Sequence, residues 1–255
     1  MTFNLRLHTS DDNENAWPNR VDKVATVIKK YNPVMFGIQE GFHSMLTELN
    51  EYLDDYEWVG EGREGGQLGE YSAIFYKKSK LKVVEQGQFW LSETPEEVAS
   101  ISWESSFPRI CTWAQFAWKT AGNEQFYVFN THLDHISEEA RDKGIELIWN
   151  AVSTKRGKRA LPAILTGDMN SIPSSHVIQF LRGKRELVDA YQCLKEEVGA
   201  TFHNFLGGEE GEPIDYIFVT KDIKVLDTIV DRSEMNGAFP SDHYPIIATV
   251  SLPRR

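Results

Sequence analysis

Several apolar segments of this sequence run directly into a polar side chain, and this pattern constrains the fold more than any other. VMFGI (34–38) leads to Glu40, and AILTG (163–167) leads to Asp168 and Asn170. A uniformly apolar strand is buried on both faces, and such a strand holds the side chains at its end in fixed positions. The sequence therefore predicts a buried sheet with polar groups fixed along one edge.

Helix and strand patterns alternate along the rest of the chain. Apolar residues between Val21 and Ile28 recur on one helical face, and Asn32-Pro33 ends that helix before the strand at 34–38. Further helices are predicted at about 42–53, from about Ser137 and after Pro173, with strands near 56–60, 72–77, 81–91, 109–118, 125–133, 163–167, 214–220, 223–230 and 245–252.

The strands are of two kinds, alternating and uniformly apolar. Residues 109–118 alternate with period 2, whereas 125–133 are more uniformly apolar. This mixture predicts an α/β fold in which two mixed β-sheets pack face to face with helices outside. One domain over residues 1–255 is expected, since no linker or repeat divides the chain.

Composition narrows the range of partners. The net charge of −11, from 38 acidic and 27 basic residues, disfavours a broad basic face for long nucleic acid, so a small or short anionic ligand is expected. The chain lacks the roughly 18 consecutive apolar residues of a membrane span and a signal-like N-terminus, which predicts a cytoplasmic protein without membrane insertion. Cys111 and Cys193 are expected to be isolated reduced thiols.

Polar residues sit at the ends of most predicted strands. In a mixed sheet, the C-terminal ends of some strands share an edge with the N-terminal ends of their antiparallel neighbours, so these residues are expected to converge. Each of them alone also fits a turn or a helix cap, but their joint occurrence favours a site. The set comprises Asn4, Glu40, His132, Asp168, Asn170, Asp215, Asp242 and His243.

These residue types fit the hydrolysis of a phosphoester. Mg²⁺ and Mn²⁺ prefer oxygen ligands, and Glu40 and Asp242 fit that role. Phosphoester cleavage also needs charge stabilisation and proton transfer, for which His132 and His243 are suited, with Asp215 as an orienting carboxylate. The motifs of serine hydrolases, zinc proteases and phosphate-binding loops do not occur in the sequence.

Seven short blocks occur in an order that resembles the endonuclease/exonuclease/phosphatase superfamily. This superfamily includes deoxyribonucleases, inositol polyphosphate 5-phosphatases, sphingomyelinases and nocturnin-type deadenylases. The resemblance implies a four-layer α/β sandwich with the active site at one end of two sheets. Its blocks are TFN at Asn4, GIQE at Glu40, GEYSAIFY at Tyr71, NTHLD at His132, GDMNS at Asp168, IDYIF at Asp215 and SDH at Asp242.

The resemblance also implies roles for the oxygen-bearing residues. Glu40 would be the main ligand of a divalent metal ion, Mg²⁺ or Mn²⁺. Asn4 and Asp242 would complete or support that metal site. Asp168 and Asn170 would hold the attacking water or a second ion, together with a phosphate oxygen.

The histidines and two further residues receive roles in the same way. His243, paired with Asp215, would bind the scissile phosphate or take part in proton transfer. His132 places the chain nearer the deoxyribonuclease and deadenylase branches than exonuclease III. Tyr71 and Arg109 lie in blocks that resemble a bacterial subgroup, in which they would face the phosphate; Arg109 alone also fits a surface ion pair.

Other polar residues have less specific interpretations. TFHNF (201–205) offers His203 and Phe205 as walls of a substrate site. Asp134 and His135 fit either a helix cap or a supporting position behind the site. The basic residues within 155–159 follow a predicted helix and fit its solvated C-terminal end.

Three functions are consistent with the sequence. The favoured one is a metal-dependent phosphoesterase that cleaves phosphodiester bonds in a nucleotide, a short nucleic acid or another small phosphorylated compound. A phosphomonoesterase or lipid phosphodiesterase, of the inositol phosphatase or sphingomyelinase type, is the alternative. A non-catalytic protein that binds a phosphorylated ligand is the third, although all seven blocks keep their polar residue. No obligate protein partner is expected.

Overall fold

The computed structural model describes residues 1–120, 124–157 and 160–253, and these residues form two six-stranded sheets. The first sheet contains β1 (Thr2–Asn4), β2 (Met35–Gln39), β3 (Tyr56–Val59), β4 (Ile74–Lys77), β11 (Lys224–Val230) and β12 (Ile246–Ser251). The second contains β5 (Leu81–Trp90), β6 (Ile110–Trp118), β7 (Gln125–His132), β8 (Ala163–Asp168), β9 (Leu187–Asp189) and β10 (Asp215–Thr220). Lys158 and Arg159, at the predicted basic helix end, lie outside the described residues.

Helices connect and cover the strands. The α-helices are α1 (Val21–Tyr31), α2 (His43–Glu51), α3 (Glu138–Arg156) and α4 (His176–Arg182). The structure also has short 3₁₀ helices at Ser10–Asn15, Trp17–Asn19 and Ala190–Cys193. Within the described residues, no helix combines the length and apolar character that crossing a membrane requires.

The two sheets share one topology. The strand order is β11-β12-β1-β2-β4-β3 in the first sheet and β5-β6-β7-β8-β10-β9 in the second. In each sheet the two central strands, β1 with β2 and β7 with β8, are parallel, and every other neighbouring pair is antiparallel. Helices α1 and α3 form the crossovers of these parallel pairs. The two sheets therefore have the same arrangement of strands, although β11 and β12, the counterparts of β5 and β6, come from the C-terminal part of the chain.

Local sequence signals account for the ends of the main helices. Val24 and Ile28 of α1 are buried, and Asn32 ends this helix in the left-handed conformation (φ 48°) before Pro33. At the start of α3, the Ser137 hydroxyl accepts a hydrogen bond from the Ala140 N–H. The backbone conformation of Asn32 therefore ends α1, whereas the side chain of Ser137 caps the start of α3.

A polar network lies between the sheets. The Asn130 side chain is fully buried; it donates to the carbonyl oxygens of Ile38 (2.8 Å) and Ala73 (3.1 Å). Its Oδ1 accepts from Gln39 Nε2 and Thr166 Oγ1. Because buried polar groups are costly when unpaired, these bonds fix the separation and register of the two sheets.

The predicted fold class, with two mixed sheets face to face and helices outside, is confirmed. Two details differ from the prediction. Strand β9 was not predicted, because three residues carry too little periodicity. The first eight residues of β6 are all buried despite their alternation, partly because Lys155 of α3 lies 3.4 Å from the centre of the Trp113 ring. Cys111 and Cys193 are free thiols, as predicted.

Candidate active site

The predicted strand-end residues converge at one end of the sandwich. In the second sheet, His132 at the end of β7 pairs with Asp168 at the end of β8, and Asp168 pairs with Asp215 at the start of β10. In the first sheet, Asn4 at the end of β1 pairs with Gln39, one residue before Glu40. The central parallel strands therefore bring both sets of polar side chains to the same edge.

Asn4 connects the two sheets at this edge. Its carboxamide nitrogen donates to Glu40 Oε1 (2.9 Å) and to Asp168 Oδ2 (3.0 Å), and its side chain is fully buried. The backbone N–H of Leu7 donates to the other Glu40 oxygen (3.1 Å). A neutral donor between two carboxylates offsets part of their mutual repulsion, so Asn4 holds the pair together.

Glu40 directly follows β2, and Asn170 lies two residues after β8; both have left-handed backbone conformations, with φ of 62° and 44°. Such values are costly for a residue with a side chain, more so for glutamate than for asparagine. The turn at Asn170 is supported because its N–H donates to Asp168 Oδ1 (2.9 Å) and its Nδ2 to the Leu133 carbonyl (2.9 Å). These turns direct both side chains back toward the end of the sheets.

Asp168 lies at the centre of the cluster. One of its oxygens, Oδ2, is 3.6 Å from His132 Nε2 and 3.7 Å from His243 Nε2. Burial raises the pKa of the Asp168 carboxyl, and the negative charge of Asp215 raises it further, while His243 and the N–H of Asn170 oppose the shift. The Asp168 carboxylate therefore interacts with three titratable side chains, those of His132, His243 and Asp215.

His243 is held by a buried carboxylate. Its Nδ1 is 2.9 Å from Asp215 Oδ2, which also accepts a hydrogen bond from the Thr201 hydroxyl (2.7 Å). Burial lowers the pKa of His243, but the charge and hydrogen bond of Asp215 outweigh it and raise the pKa well above its ordinary value. Asp215 therefore favours the protonated form of His243, whose Nε2 is directed toward Asp168.

His132 is in the opposite electrostatic situation. Burial lowers its pKa well below the ordinary value, and the positive charge of Arg109 lowers it further. Arg109 is itself held by Asp134 (Nε to Oδ2, 3.3 Å) and by His135 Nδ1 (3.0 Å). Asp134 also accepts from the Ser137 N–H at the start of α3, so it has the predicted capping and supporting role.

Asp242 is fixed by the segment that follows β1. Arg6 Nε lies 3.8 Å from Asp242 Oδ2, and the Ser241 hydroxyl donates to the Asn4 carbonyl (2.7 Å). Burial raises the pKa of Asp242; His243 lowers it, while Glu40 raises it. The Asp242 carboxylate therefore interacts electrostatically with both Glu40 and His243.

Arg20 was not predicted from the sequence, yet it connects the segments around Asn4 and Asp242. It is 1% exposed and donates to the carbonyl oxygens of Leu5 (2.8 Å), Arg6 (3.1 Å) and Pro240 (2.7 Å), and also to that of Asn15. The guanidinium fork satisfies several buried carbonyls at once, and so fixes the exit of β1 against the segment that carries Asp242.

These groups face a cleft of about 300 Å³. Its lining includes Arg6, Glu40, Arg63, Glu70, Phe107, Arg109, His132, His135, Asp168, Asn170, Phe202, Asp242 and His243. A larger cavity of about 950 Å³ opens at the opposite end of the sheets, but its walls are mostly apolar side chains such as Met35, Phe126 and Ile217. Chemistry rather than volume therefore identifies the smaller cleft as the candidate active site.

Three residues predicted as substrate contacts are placed differently from one another. Arg109 lines the cleft. Tyr71 borders a small cavity beside Arg109 and His132, and its hydroxyl donates to the Gly66 carbonyl (2.9 Å). His203 is not among the residues lining the described cleft, because its ring stacks on Tyr244, with centroids 3.9 Å apart.

Two neighbours of His203 also differ from expectation. Phe205, predicted as a wall residue, lies over the Arg20 guanidinium at 5.3 Å rather than along the described cleft. Phe202, which was not predicted, lines the cleft instead. Arg63 was missed as well; it is paired with Glu70 (2.8 Å) and lies over the Phe107 ring. No periodic pattern marks loop residues, so their directions could not be read from the sequence.

The donor atoms of the cleft fit a divalent cation. Glu40, His132 and Asp168 offer ligand atoms within 4.8 Å of one another, and Asp168, Asp215 and His243 form a second such group. Carboxylate oxygens predominate, Asp242 adds another, and the Asn4 amide supports two of them. Hard cations prefer such oxygen ligands, so Glu40 with Asp168 or Asp242 is the arrangement best suited to hold one.

Comparison with known proteins agrees with this geometry. The sequence profile of the Endonuclease/Exonuclease/phosphatase family matches residues 1–243. A mannosyl-6-phosphatase from Bacteroides thetaiotaomicron is 33% identical, with a TM-score of 0.92 over 98% of each chain. An endonuclease/exonuclease/phosphatase from Bacteroides vulgatus is 36% identical, with a TM-score of 0.92 over 99% of this chain and 97% of that one.

A curated relative extends the comparison to a virus. An uncharacterized protein, L388, from Acanthamoeba polyphaga mimivirus is 29% identical over 173 residues; the match covers 65% of this chain and 63% of the viral protein. The family profile, by contrast, extends from β1 to His243 and so includes every predicted strand-end residue. The chain therefore belongs to the Endonuclease/Exonuclease/phosphatase family.

Proposed function

We propose that this protein hydrolyses the phosphoester bond of a small phosphorylated compound, with Mg²⁺ or Mn²⁺ as its cofactor. One observation carries the proposal: an oxygen-rich group suited to a hard cation and a histidine paired with a buried carboxylate face the same cleft. A cation held by the oxygen-rich group would neutralise charge on the phosphoryl oxygens, and the histidine would stabilise the departing ester oxygen. A non-catalytic protein would not need both.

A phosphomonoester is the favoured substrate class. The cleft of about 300 Å³ lies at the small end of the roughly 300–1,000 Å³ typical of small-molecule sites. The net charge of −11 disfavours long nucleic acid. The 33% identical relative is a mannosyl-6-phosphatase, which supports a sugar phosphate more than the phosphodiester that the sequence alone favoured. A phosphodiester of a nucleotide or short nucleic acid is the competing substrate.

Each side chain has a role in this mechanism. Glu40, with Asp242 and the support of Asn4, would hold the cation, which leaves Asp168 to act as the base. When bound, the cation would supply charge neutralisation at the phosphoryl oxygens. Asp168 accepts a proton from the attacking water, since its pKa is raised by burial and by Asp215.

The remaining groups bind and orient the phosphate. As the bond between phosphorus and the ester oxygen breaks, His243 donates its Nε2 proton to the departing oxygen, because Asp215 holds Nδ1 and favours the protonated ring. His132 stays neutral, so it hydrogen-bonds without adding charge. Arg109, which Asp134 fixes at the cleft wall, supplies a fixed positive charge. A cytoplasmic location and the absence of an obligate protein partner stay predictions from the sequence.

The test is a substrate panel assayed with Mg²⁺, with Mn²⁺ and after chelation. Mannose 6-phosphate, a nucleoside 5′-monophosphate, a dinucleotide, single-stranded RNA and plasmid DNA would be compared by release of phosphate or of cleaved product. Hydrolysis of a phosphomonoester that disappears on chelation, and in an Asp168→Asn control, is expected. Cleavage of plasmid DNA at physiological salt would contradict the proposed substrate class, and turnover after complete chelation would contradict the cofactor.

A further inference from the structure

Phe202 is exposed at a position where a substrate would bind. Its side chain is 44% exposed and lines the cleft, and its ring centroid is 5.0 Å from that of His243. A large apolar side chain that is left partly in water forgoes part of the free energy that its burial would gain. An exposed aromatic ring next to a candidate catalytic group therefore points to a ligand that covers it.

The backbone holds Phe202 in place on both sides. The His203 N–H donates to the Asp242 carbonyl (2.8 Å), and the Tyr244 N–H donates to the Thr201 carbonyl (2.8 Å). Phe202 thus forms an isolated antiparallel bridge with His243. Because this short segment pairs with the residues that carry the site, the Phe202 backbone is fixed relative to that of His243, which places the phenyl ring beside the imidazole.

The Phe107 ring, which is also exposed and lines the cleft, is already engaged. The Phe107 ring lies under the Arg63 guanidinium at 4.5 Å, and it stacks on His135 with a centroid distance of 6.1 Å. Leu206, in the same loop as Phe202, is 84% exposed but does not line the described cleft. Phe202 therefore has the aromatic surface best placed for a substrate.

We propose that Phe202 is a binding platform for the sugar ring of a hexose 6-phosphate-type substrate. The proposal rests on the proposed function and names the part of the substrate beyond the phosphate. With the phosphoryl group at His243, a ring joined to the ester oxygen through one methylene group lies within reach of the adjacent phenyl ring. The C–H face of a pyranose is apolar and stacks on an aromatic ring.

Kinetics on two substrates test this role. The ratio of kcat/KM for mannose 6-phosphate to that for glycerol 3-phosphate, which has no ring, would be measured for wild type, Phe202→Ala, Phe202→Tyr and Leu206→Ala. We expect the ratio to fall about tenfold in F202A, and to stay near the wild-type value in F202Y and in the control L206A. An unchanged ratio in F202A, or an equal fall in L206A, would overturn the proposal.

A binding measurement separates this inference from the proposed function. In an Asp168→Asn background, calorimetry with Mg²⁺ would compare mannose 6-phosphate with inorganic phosphate, with and without Phe202→Ala. Tighter binding of the sugar phosphate that depends on Phe202 supports the platform, even when the wild type hydrolyses only diesters. Equal affinity for the two ligands in the presence of Phe202 refutes the platform, even when hydrolysis is observed. A nucleoside 5′-monophosphate bound more tightly than mannose 6-phosphate would assign Phe202 to a nucleobase and overturn the sugar assignment.

Discussion

The two sheets have the same strand order and directions, but they deliver different chemistry to the shared edge. The first sheet contributes Asn4 and Glu40, with Asp242 just before β12, and all three side chains offer oxygen atoms. The second sheet contributes His132 and Asp168 from its parallel pair. A repeated topology therefore fixes where side chains meet, while the residues at the strand ends determine what they do.

The difference is clearest at one antiparallel neighbour of each parallel pair, the strand next to β8 in the second sheet and the strand next to β2 in the first. In the second sheet this neighbour is β10, whose first residue, Asp215, pairs with Asp168 and holds His243. In the first sheet it is β4, whose first residue, Ile74, pairs with Gly37 and is buried. The second sheet is thus equipped to orient an imidazole, whereas the first is equipped to hold a cation.

The largest expected effect on cation binding and turnover is at Glu40, on the edge of the first sheet. Glu40→Gln keeps the shape of the side chain but removes its charge, so we expect Mn²⁺ affinity and turnover each to fall more than about 100-fold, beyond the roughly 10–100-fold typical of supporting residues. Calorimetry of Mn²⁺ binding and kcat at high Mn²⁺ would measure both. Wild-type Mn²⁺ affinity in this variant would remove Glu40 from the cation site.

The two histidines of the cleft, which interact with Asp168 of the second sheet, should respond in a different way. In His243→Asn we expect kcat to fall by about 10²-fold or more, because a proton donor is lost, while Mn²⁺ affinity stays near the wild-type value. His132→Asn, at the end of β7, is the matched comparison, because its imidazole also faces Asp168. If either variant loses Mn²⁺ affinity as strongly as Glu40→Gln, the division between cation-binding and proton-transfer residues is wrong.

A smaller effect is expected at Arg20, which fixes the first-sheet edge from behind. Arg20→Met removes its bonds to the carbonyls of Leu5 and Pro240, so Asn4 and Asp242 lose part of their alignment, and Mn²⁺ affinity should fall about tenfold. Arg156→Met is the control, because Arg156 also donates to a buried carbonyl, that of Leu161, far from the cleft.

Stability and cation binding would both be measured for the two arginine variants. Arg20→Lys, which keeps the charge and part of the bonding, is expected to lie between Arg20→Met and wild type, and it extends the test if Arg20→Met folds poorly. A fall in Mn²⁺ affinity that is equal in the Arg20 and Arg156 variants would show that Arg20 acts only through stability.

The smallest effect on activity is expected where the sheets touch. A Cβ at Gly37 would lie 2.3 Å from Asn130 Oδ1 and 2.6 Å from Thr166 Oγ1, so Gly37→Ala should destabilise the fold by about 1–3 kcal/mol. Denaturant unfolding would measure this loss, with kcat at low temperature within about threefold of wild type. A large fall in kcat in the still-folded variant would indicate that the spacing of the sheets controls the site directly.

Much of this fold follows from periodicity. Helix α1 and strand β2 have clear apolar patterns, and Asn32-Pro33 marks the boundary between them. Strand β9 has only three residues, so no period can be recognised, and the burial of β6 depends on α3, which is distant in sequence. The role of Asn130 was also hidden, because an asparagine before His132 gives no sign that it bridges two sheets.

The residues of the candidate site also fall into those that the sequence predicts and those that depend on tertiary contacts. Residues at strand ends, such as Glu40, Asp168 and Asp215, could be placed together because strand ends share an edge. Phe202 and Arg20 could not, since the direction of a loop side chain depends on tertiary hydrogen bonds. His203 illustrates this point: it is one residue from the cleft wall, yet its ring stacks on Tyr244 behind that wall.

The left-handed backbone conformation of Glu40 lowers the stability of the fold at a residue that the proposed activity requires. Glycine adopts a φ of 62° without the steric cost that a glutamate meets, so Glu40→Gly should unfold at a higher temperature than Glu40→Ala, by an amount equivalent to about 1 kcal/mol. Both substitutions would leave an inert protein. A substitution to glycine at this position would thus remove the activity at a smaller cost in stability than a substitution to alanine. The left-handed glutamate is therefore retained for its function and not for the stability of the fold.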